Sequence, residues 1–409
     1  MMTSFNHRPM LIATVALVGL NLRPFMTSIG PVANPIRTGT GLSLQGIALL
    51  TLVPMLLMGI IAFVGPSIQS ALGERKAILT ALAIICLGCA LRFIVPNGGF
   101  LILTAAIIGL GVAIVQACFP SMIKREFADH LGPMMGLYSA MLMGGGALGA
   151  LIAPMVTSVS GDWKIGLSIF TLPAIAALLL ASCFLARPAK SQYKLPSVGV
   201  FMKQPRTWLL IFCFGLINGG YSSIVAWLAP SYQERGWSAT ASGNLMALLT
   251  LSQAAAALLL PYLSRTNKDR RIWIGLTLLM QLLGFAGLAF IPEYLPYLWV
   301  VVLGAGLGGS FALLMIVVLD HLADPAHAGQ LSALMQGGGF LLAAIAPWLL
   351  AVFHGLTSGY TLGWIWHLAM VVVVSILVIR LNPTHYAKAI RLVNKSSEAK
   401  LKKNKVFIF

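Results

Sequence analysis

Apolar residues dominate this chain in long runs separated by short polar breaks. A helix needs about 20 mostly apolar residues to cross a bilayer. Twelve stretches meet that length, at roughly 9–30, 43–70, 77–95, 99–121, 134–157, 164–186, 207–230, 240–263, 272–292, 296–319, 328–354 and 361–381. Pro and Gly inside them are compatible with spanning helices, because neighbouring helices satisfy the freed backbone groups. The pattern predicts an all-α membrane protein with twelve transmembrane helices. The first run continues through Arg23 and Pro24 to Gly30 without a small-residue cleavage pattern, so it reads as a span and not as a removed signal.

An internal repeat organises these spans. Residues 136–154, GLYSAMLMGGGALGALIAP, align without gaps to residues 329–347, GQLSALMQGGGFLLAAIAP, with 11 of 19 positions identical. ALLTL recurs at 48–52 and 247–251. The first match joins span five to span eleven, the second span two to span eight. Both skip six spans, and an even number keeps the two copies in one orientation. The expected arrangement is two parallel-repeat six-helix bundles related by an axis along the membrane normal, with the substrate site between them.

The polar breaks orient the chain. With the N-terminus in the cytoplasm, cytoplasmic segments hold 22 of the 27 Lys and Arg; the outer loops and their edges hold only Arg37, Arg92, Lys164 and Arg235. That asymmetry is the positive-inside pattern, and it places the chain in a bacterial inner membrane with both termini cytoplasmic. The longest polar break, 187–206, carries three prolines and reads as a cytoplasmic linker. The expected domains are an N-terminal bundle, 1–186; the linker, 187–206; a C-terminal bundle, 207–382; and a basic cytoplasmic tail, 383–409.

Composition agrees: 58% of residues are hydrophobic and only 9% charged, against about 25% charged in soluble domains. The net charge of +17 does not indicate nucleic acid, because the cations sit in loops between spans. The five cysteines all lie in apolar segments and read as small membrane-helix residues. GAGLGG at 304–309 has dinucleotide-binding spacing, but it lies within a span with no strand before it, so helix packing is the better reading. The loops are too short for a catalytic domain and carry no hydrolase, zinc or P-loop pattern. No enzyme activity, metal or cofactor is expected. The expected partners are a small anionic substrate and the lipid bilayer, and the chain is read as a monomer.

All ten acidic residues fall in loops or at span ends. Arg23 is different. It lies about fourteen residues into the first span, ~21 Å along a helix rising 1.5 Å per residue. An arginine at such depth usually faces a cavity or a partner, and no acid within the spans is available to pair with it. A substrate anion is the expected partner, the alternatives being snorkelling to the outer interface or pairing with Asp162 or Glu234 of the outer loops, and Pro24 should break the helix beside it. Asn218 and Tyr221, three apart on one face of span seven, are further cavity candidates. Gln116, Tyr138, Gln253 and Gln336 are the other mid-span polar residues placed in the binding set; any one of them could instead bridge helices. His367, in the last span, reads as structural.

Several stretches carry a resemblance. GPSIQSALGERK at 65–76 resembles the loop signature of the major facilitator superfamily, with Gln69 where an acid is usual and Gly73 one place late. GLNLRPFMTSIGP at 19–31, FPSMIKREF at 119–127, FGLINGGYSSIVAWL at 214–228 and SALMQGGGF at 332–340 resemble that superfamily's cyanate and 2-nitroimidazole transporter family. The resemblance spans about residues 10–383. It implies a secondary transporter in which two six-helix halves rock around a central site, taking up cyanate, a linear monoanion. The alternative it leaves is an exporter of 2-nitroimidazole-like or other small drug molecules.

Overall fold

The computed structural model of the protein describes residues 7–186 and 198–390. Most of the expected linker and the tail beyond residue 390 lie outside the described residues. Among those described, every regular element is a helix. The spans are α1 (His7–Leu20), α2 (Leu44–Leu72), α3 (Glu74–Leu91), α4 (Gly98–Glu126), α5 (Leu131–Ser160), α6 (Thr171–Phe184), α7 (Pro205–Gln233), α8 (Ala239–Leu263), α9 (Arg271–Phe290), α10 (Pro296–Asp320), α11 (Pro325–Thr357) and α12 (Thr361–Ile379). Eleven segments are long and apolar enough to cross a membrane, and α2 adds a shorter apolar stretch, Leu49–Val64. α2 and α8 begin alike: Ser43 and Ser238 cap them by accepting the N–H of Gly46 and Ala241.

The surface is apolar where a soluble protein's would be polar. Leu151, Met155, Val159, Leu179, Ile272, Phe290 and Leu356 are all exposed. Such a continuous apolar coat belongs to lipid. Inside, the helices approach closely through small residues. In the GAGLGG segment, Gly304 faces Leu249 and Ser252, Gly306 faces the backbone of Thr277, and Gly308 faces the backbone of Gln253. These glycines serve helix packing, as expected.

The two bundles repeat each other. In the first, α1 packs on α5 and α6, α2 on α4, and α3 on α4 and α6. In the second, α7 packs on α11 and α12, α8 on α10, and α9 on α10 and α12. The contacts between bundles are paired in the same way: α2 with α11 and α8 with α5, then α4 with α11 and α10 with α5. An even number of crossings puts both ends of the described chain, His7 and Ile390, on one face, the terminal face. There the seam is tight. Gly136 meets the Ala257 carbonyl and Pro261, Gly329 meets Ser121, and Lys124 Nζ donates to the carbonyls of Leu319 and Leu322.

The start of the expected tail is folded. Pro383–His385 and Tyr386–Ala389 form short helical turns, and Tyr386 stacks on His321 with ring centroids 3.9 Å apart. The lysine-rich composition hid one aromatic anchor. Before α7, a short helix, Val198–Met202, occupies the last part of the expected linker.

A cavity between the two bundles

The first span breaks where proline dictates. α1 ends at Leu20, the chain turns, and a four-residue helix resumes at Pro24–Thr27. Pro24 lacks an N–H, and its ring crowds the preceding turn. Arg23 therefore takes a non-helical backbone, φ −125° and ψ −25°, at the start of that short helix. Three neighbours hold the break. Asn21 Nδ2 donates to the Leu17 carbonyl at 2.7 Å and to the Pro173 carbonyl at 3.0 Å, tying it to α6. Arg92 Nη1 donates to the Phe25 carbonyl at 3.1 Å. Gly145 and Gly149 of α5 sit against the Leu20 carbonyl and the backbone of Pro24. A side chain at position 149 would fall 2.7 Å from the Pro24 Cα, so only glycine allows this approach.

The break opens into a cavity between the bundles. Arg23 lines it with Leu142, Met143 and Gly146 of α5; across the seam stand Ile217, Asn218 and Tyr221 of α7, Gln253 of α8, and Leu307 and Phe311 of α10. Arg23 is the one charged residue in the lining. Its guanidinium carbon lies 5.1 Å from the centre of the Tyr221 ring, a cation–π contact across the seam. Its Nε is buried without a hydrogen-bond partner, and among the described residues no carboxylate pairs with it. Asn218 Nδ2 donates to the Phe214 carbonyl at 2.8 Å, and Gln253 Oε1 has no partner. The centre of a water-sized sphere can visit about 20 Å³ here, where one water needs roughly 10–15 Å³. The site thus offers a half-buried cation without a carboxylate partner, neutral polar groups and room for a small occupant.

The structure brings Arg23, Asn218, Tyr221 and Gln253 together. Tyr138, Gln116 and Gln336 stand outside the lining. Tyr138 is fully buried behind Arg23, close enough to feel its charge, and its hydroxyl has no partner. Gln336 Nε2 reaches the Gln116 carbonyl at 3.4 Å across the α4–α11 seam, and neither Gln116 amide atom is paired. His367 lies apart, stacked on Phe285. The apolar lining was missed by a search for polar residues. Its one sequence signal was the repeat itself, which aligns Met143 with Gln336. Arg92, placed by sequence at an outer-loop edge, is instead fully buried.

A family model described as Major Facilitator Superfamily matches residues 11–347 and 233–403. The chain is 41% identical over 377 residues to the cyanate transport protein of Escherichia coli K12, covering 92% of this chain and 98% of that protein. It is 28% identical over 363 residues to the 2-nitroimidazole transporter of the same organism, covering 88% and 91%. The solved proton:xylose symporter matches with a TM-score of 0.76 at 11% identity, covering 92% of this chain and 96% of that one.

Proposed function

The chain belongs to the major facilitator superfamily, a multi-pass secondary transporter by that membership, and from this premise we propose that it carries cyanate and binds the anion at Arg23. The observation that carries the reading is the half-buried guanidinium of Arg23, with no carboxylate partner among the described residues and its Nε buried and unpaired, the sole charge lining a small cavity. A planar fork suits a small linear anion, because it donates along an edge where an ammonium offers a point. Asn218, Tyr221 and Gln253 complete the contact set from the second bundle, so a bound anion joins the two halves. Tyr138 backs Arg23, and Gln116 and Gln336 lie along the seam that parts when the terminal face opens. Residues 1–186 and 207–382 are the two moving bundles, joined by 187–206. The terminal face is cytoplasmic in the inner membrane, and the arrangement is closed on that face. Cavity size and the 41% likeness both favour a triatomic anion over a nitroimidazole ring.

Labelled cyanate counterflow in proteoliposomes tests this. Arg23→Gln removes a charged donor worth about 1.5–3 kcal/mol, so affinity should fall roughly 10- to 100-fold at 1.4 kcal/mol per decade. Arg23→Lys should fall between Arg23→Gln and the native protein. Unchanged cyanate affinity in a well-folded Arg23→Gln protein would overturn the assignment.

A further inference from the structure

Arg92 closes α3 on the side away from the terminal face, and its surroundings are unusual. The side chain has no exposure at all, yet Nε and Nη2 have no hydrogen-bond partner. Its one hydrogen bond runs from Nη1 to the Phe25 carbonyl at 3.1 Å. Among the described residues no carboxylate pairs with it. Burying an arginine this way is unfavourable, and apolar packing would be served better by leucine. The partner it does have is informative. Phe25 lies in the four-residue helix Pro24–Thr27, which begins directly after Arg23. That short helix ends at Thr27, so the Phe25 carbonyl is among its last and lacks an intrahelical donor, and Arg92 supplies one from a different helix.

We propose that Arg92 is a positioning residue for the anion site: it clamps the broken segment of the first span through the Phe25 carbonyl and so keeps position 23 turned into the cavity. The proposal rests on the reading of Arg23 as the anion's ligand. Asn21 fixes the near side of the break to α6 and Arg92 fixes the far side to α3, so Arg23 is suspended between two hydrogen-bonded anchors. Loss of the far anchor lets Pro24–Thr27 swing, and the side chain at 23 leaves the cavity without any loss of its own charge.

The test reads position 23 directly. In a Cys183→Ser background, which removes the exposed native thiol, Arg23→Cys is labelled with a neutral methanethiosulfonate, and Tyr221→Cys serves as a cavity control on α7. Adding Arg92→Gln should slow labelling at 23 by about fivefold and leave 221 within about twofold, a split in the range of coupled contacting residues. In the otherwise native protein Arg92→Gln should weaken equilibrium cyanate binding about tenfold, and Arg92→Lys, which keeps the charge and a donor, should recover part of it. Unchanged labelling at 23, equal slowing at both positions, or native cyanate affinity in Arg92→Gln overturns the proposal. If Arg92→Gln does not fold, Arg92→Lys is carried through the same labelling pair, with a smaller split expected and an absent one overturning. Native affinity in Arg23→Gln would instead sink the reading of Arg23 as ligand, and labelling at 23 would still decide whether Arg92 sets the break.

Discussion

His321 sits just beyond the end of α10, buried under Tyr386, with its Nδ1 2.7 Å from the Val317 carbonyl. Burial, with smaller contributions from the Arg206 and Lys124 charges, pushes its pKa from 6.5 down to about 4. The folded protein therefore keeps this imidazole neutral, whereas the unfolded chain protonates it from about pH 6.5 downward. Its contribution to stability is full above that pH and is lost progressively as pH falls toward 4, at up to about 1.4 kcal/mol per pH unit. Thermal midpoints in detergent should drop more steeply between pH 7 and 5 in the native protein than in His321→Gln. Equal slopes would place the pH sensitivity elsewhere. The same scale shows what residue identity can reveal. Arg23 was legible because a cation deep in an apolar run is conspicuous. Arg92 was not, because three residues beyond Cys89 it looks like any basic loop residue. Its burial depends on the Phe25 carbonyl arriving from another helix.

Among the elements, the ends of α4 and α10 decide whether the terminal face is shut. Lys124, near the end of α4, donates across the seam to the carbonyls of Leu319 and Leu322 at the end of α10, the latter at 2.6 Å. Those carbonyls lie at the negative end of a helix, where a cation gains about 0.3–1 kcal/mol, and up to ~2 when partly buried. Lys124→Ala should shift the population toward a state open on this face, by roughly 2- to 30-fold for that range. A thiol at Ala257→Cys, packed against Gly136 across the seam, reports it. Its labelling from the terminal face should accelerate in the Lys124→Ala protein, and an unchanged rate would show that the glycine contacts alone hold the seam. The loop signature at 65–76 has a related outcome. Gln69 replaces the usual acid, yet its Nε2 donates to Glu74 at 3.2 Å and to Ser121 at 3.1 Å, and Glu74 pairs with Arg125. The displaced acid is supplied five residues later.

At the scale of the whole molecule, the two halves repeat in packing but exchange charge. In the first, an acid opens α3 and an arginine stands one residue from the end of α4, Glu74 with Arg125. In the second, an arginine caps α9 and an acid closes α10, Arg270 with Asp320. The same joint is built twice with opposite polarity, so it can hold each bundle rigid without matching the other. A rigid pair of bundles crossing an even number of times should keep both ends on one side. A reporter active only in the periplasm, fused after residue 390, should stay silent, and strong activity there would invert the topology. Sequence by itself determined the number of spans and the repeat, and it singled out Arg23. The first two follow from the apolar length a bilayer demands and from similarity along a single line of residues. It also identified Asn218 and Tyr221, which share one helical face. Only the tertiary structure decided that Gln253 joins them while Gln116, Tyr138 and Gln336 stand outside the lining. It alone showed that a stray loop arginine anchors the break and that the start of the tail folds under His321. Each of these depends on which helix faces which across a seam, and a helix's rotation about its axis is set by its neighbours, which its own residues do not record.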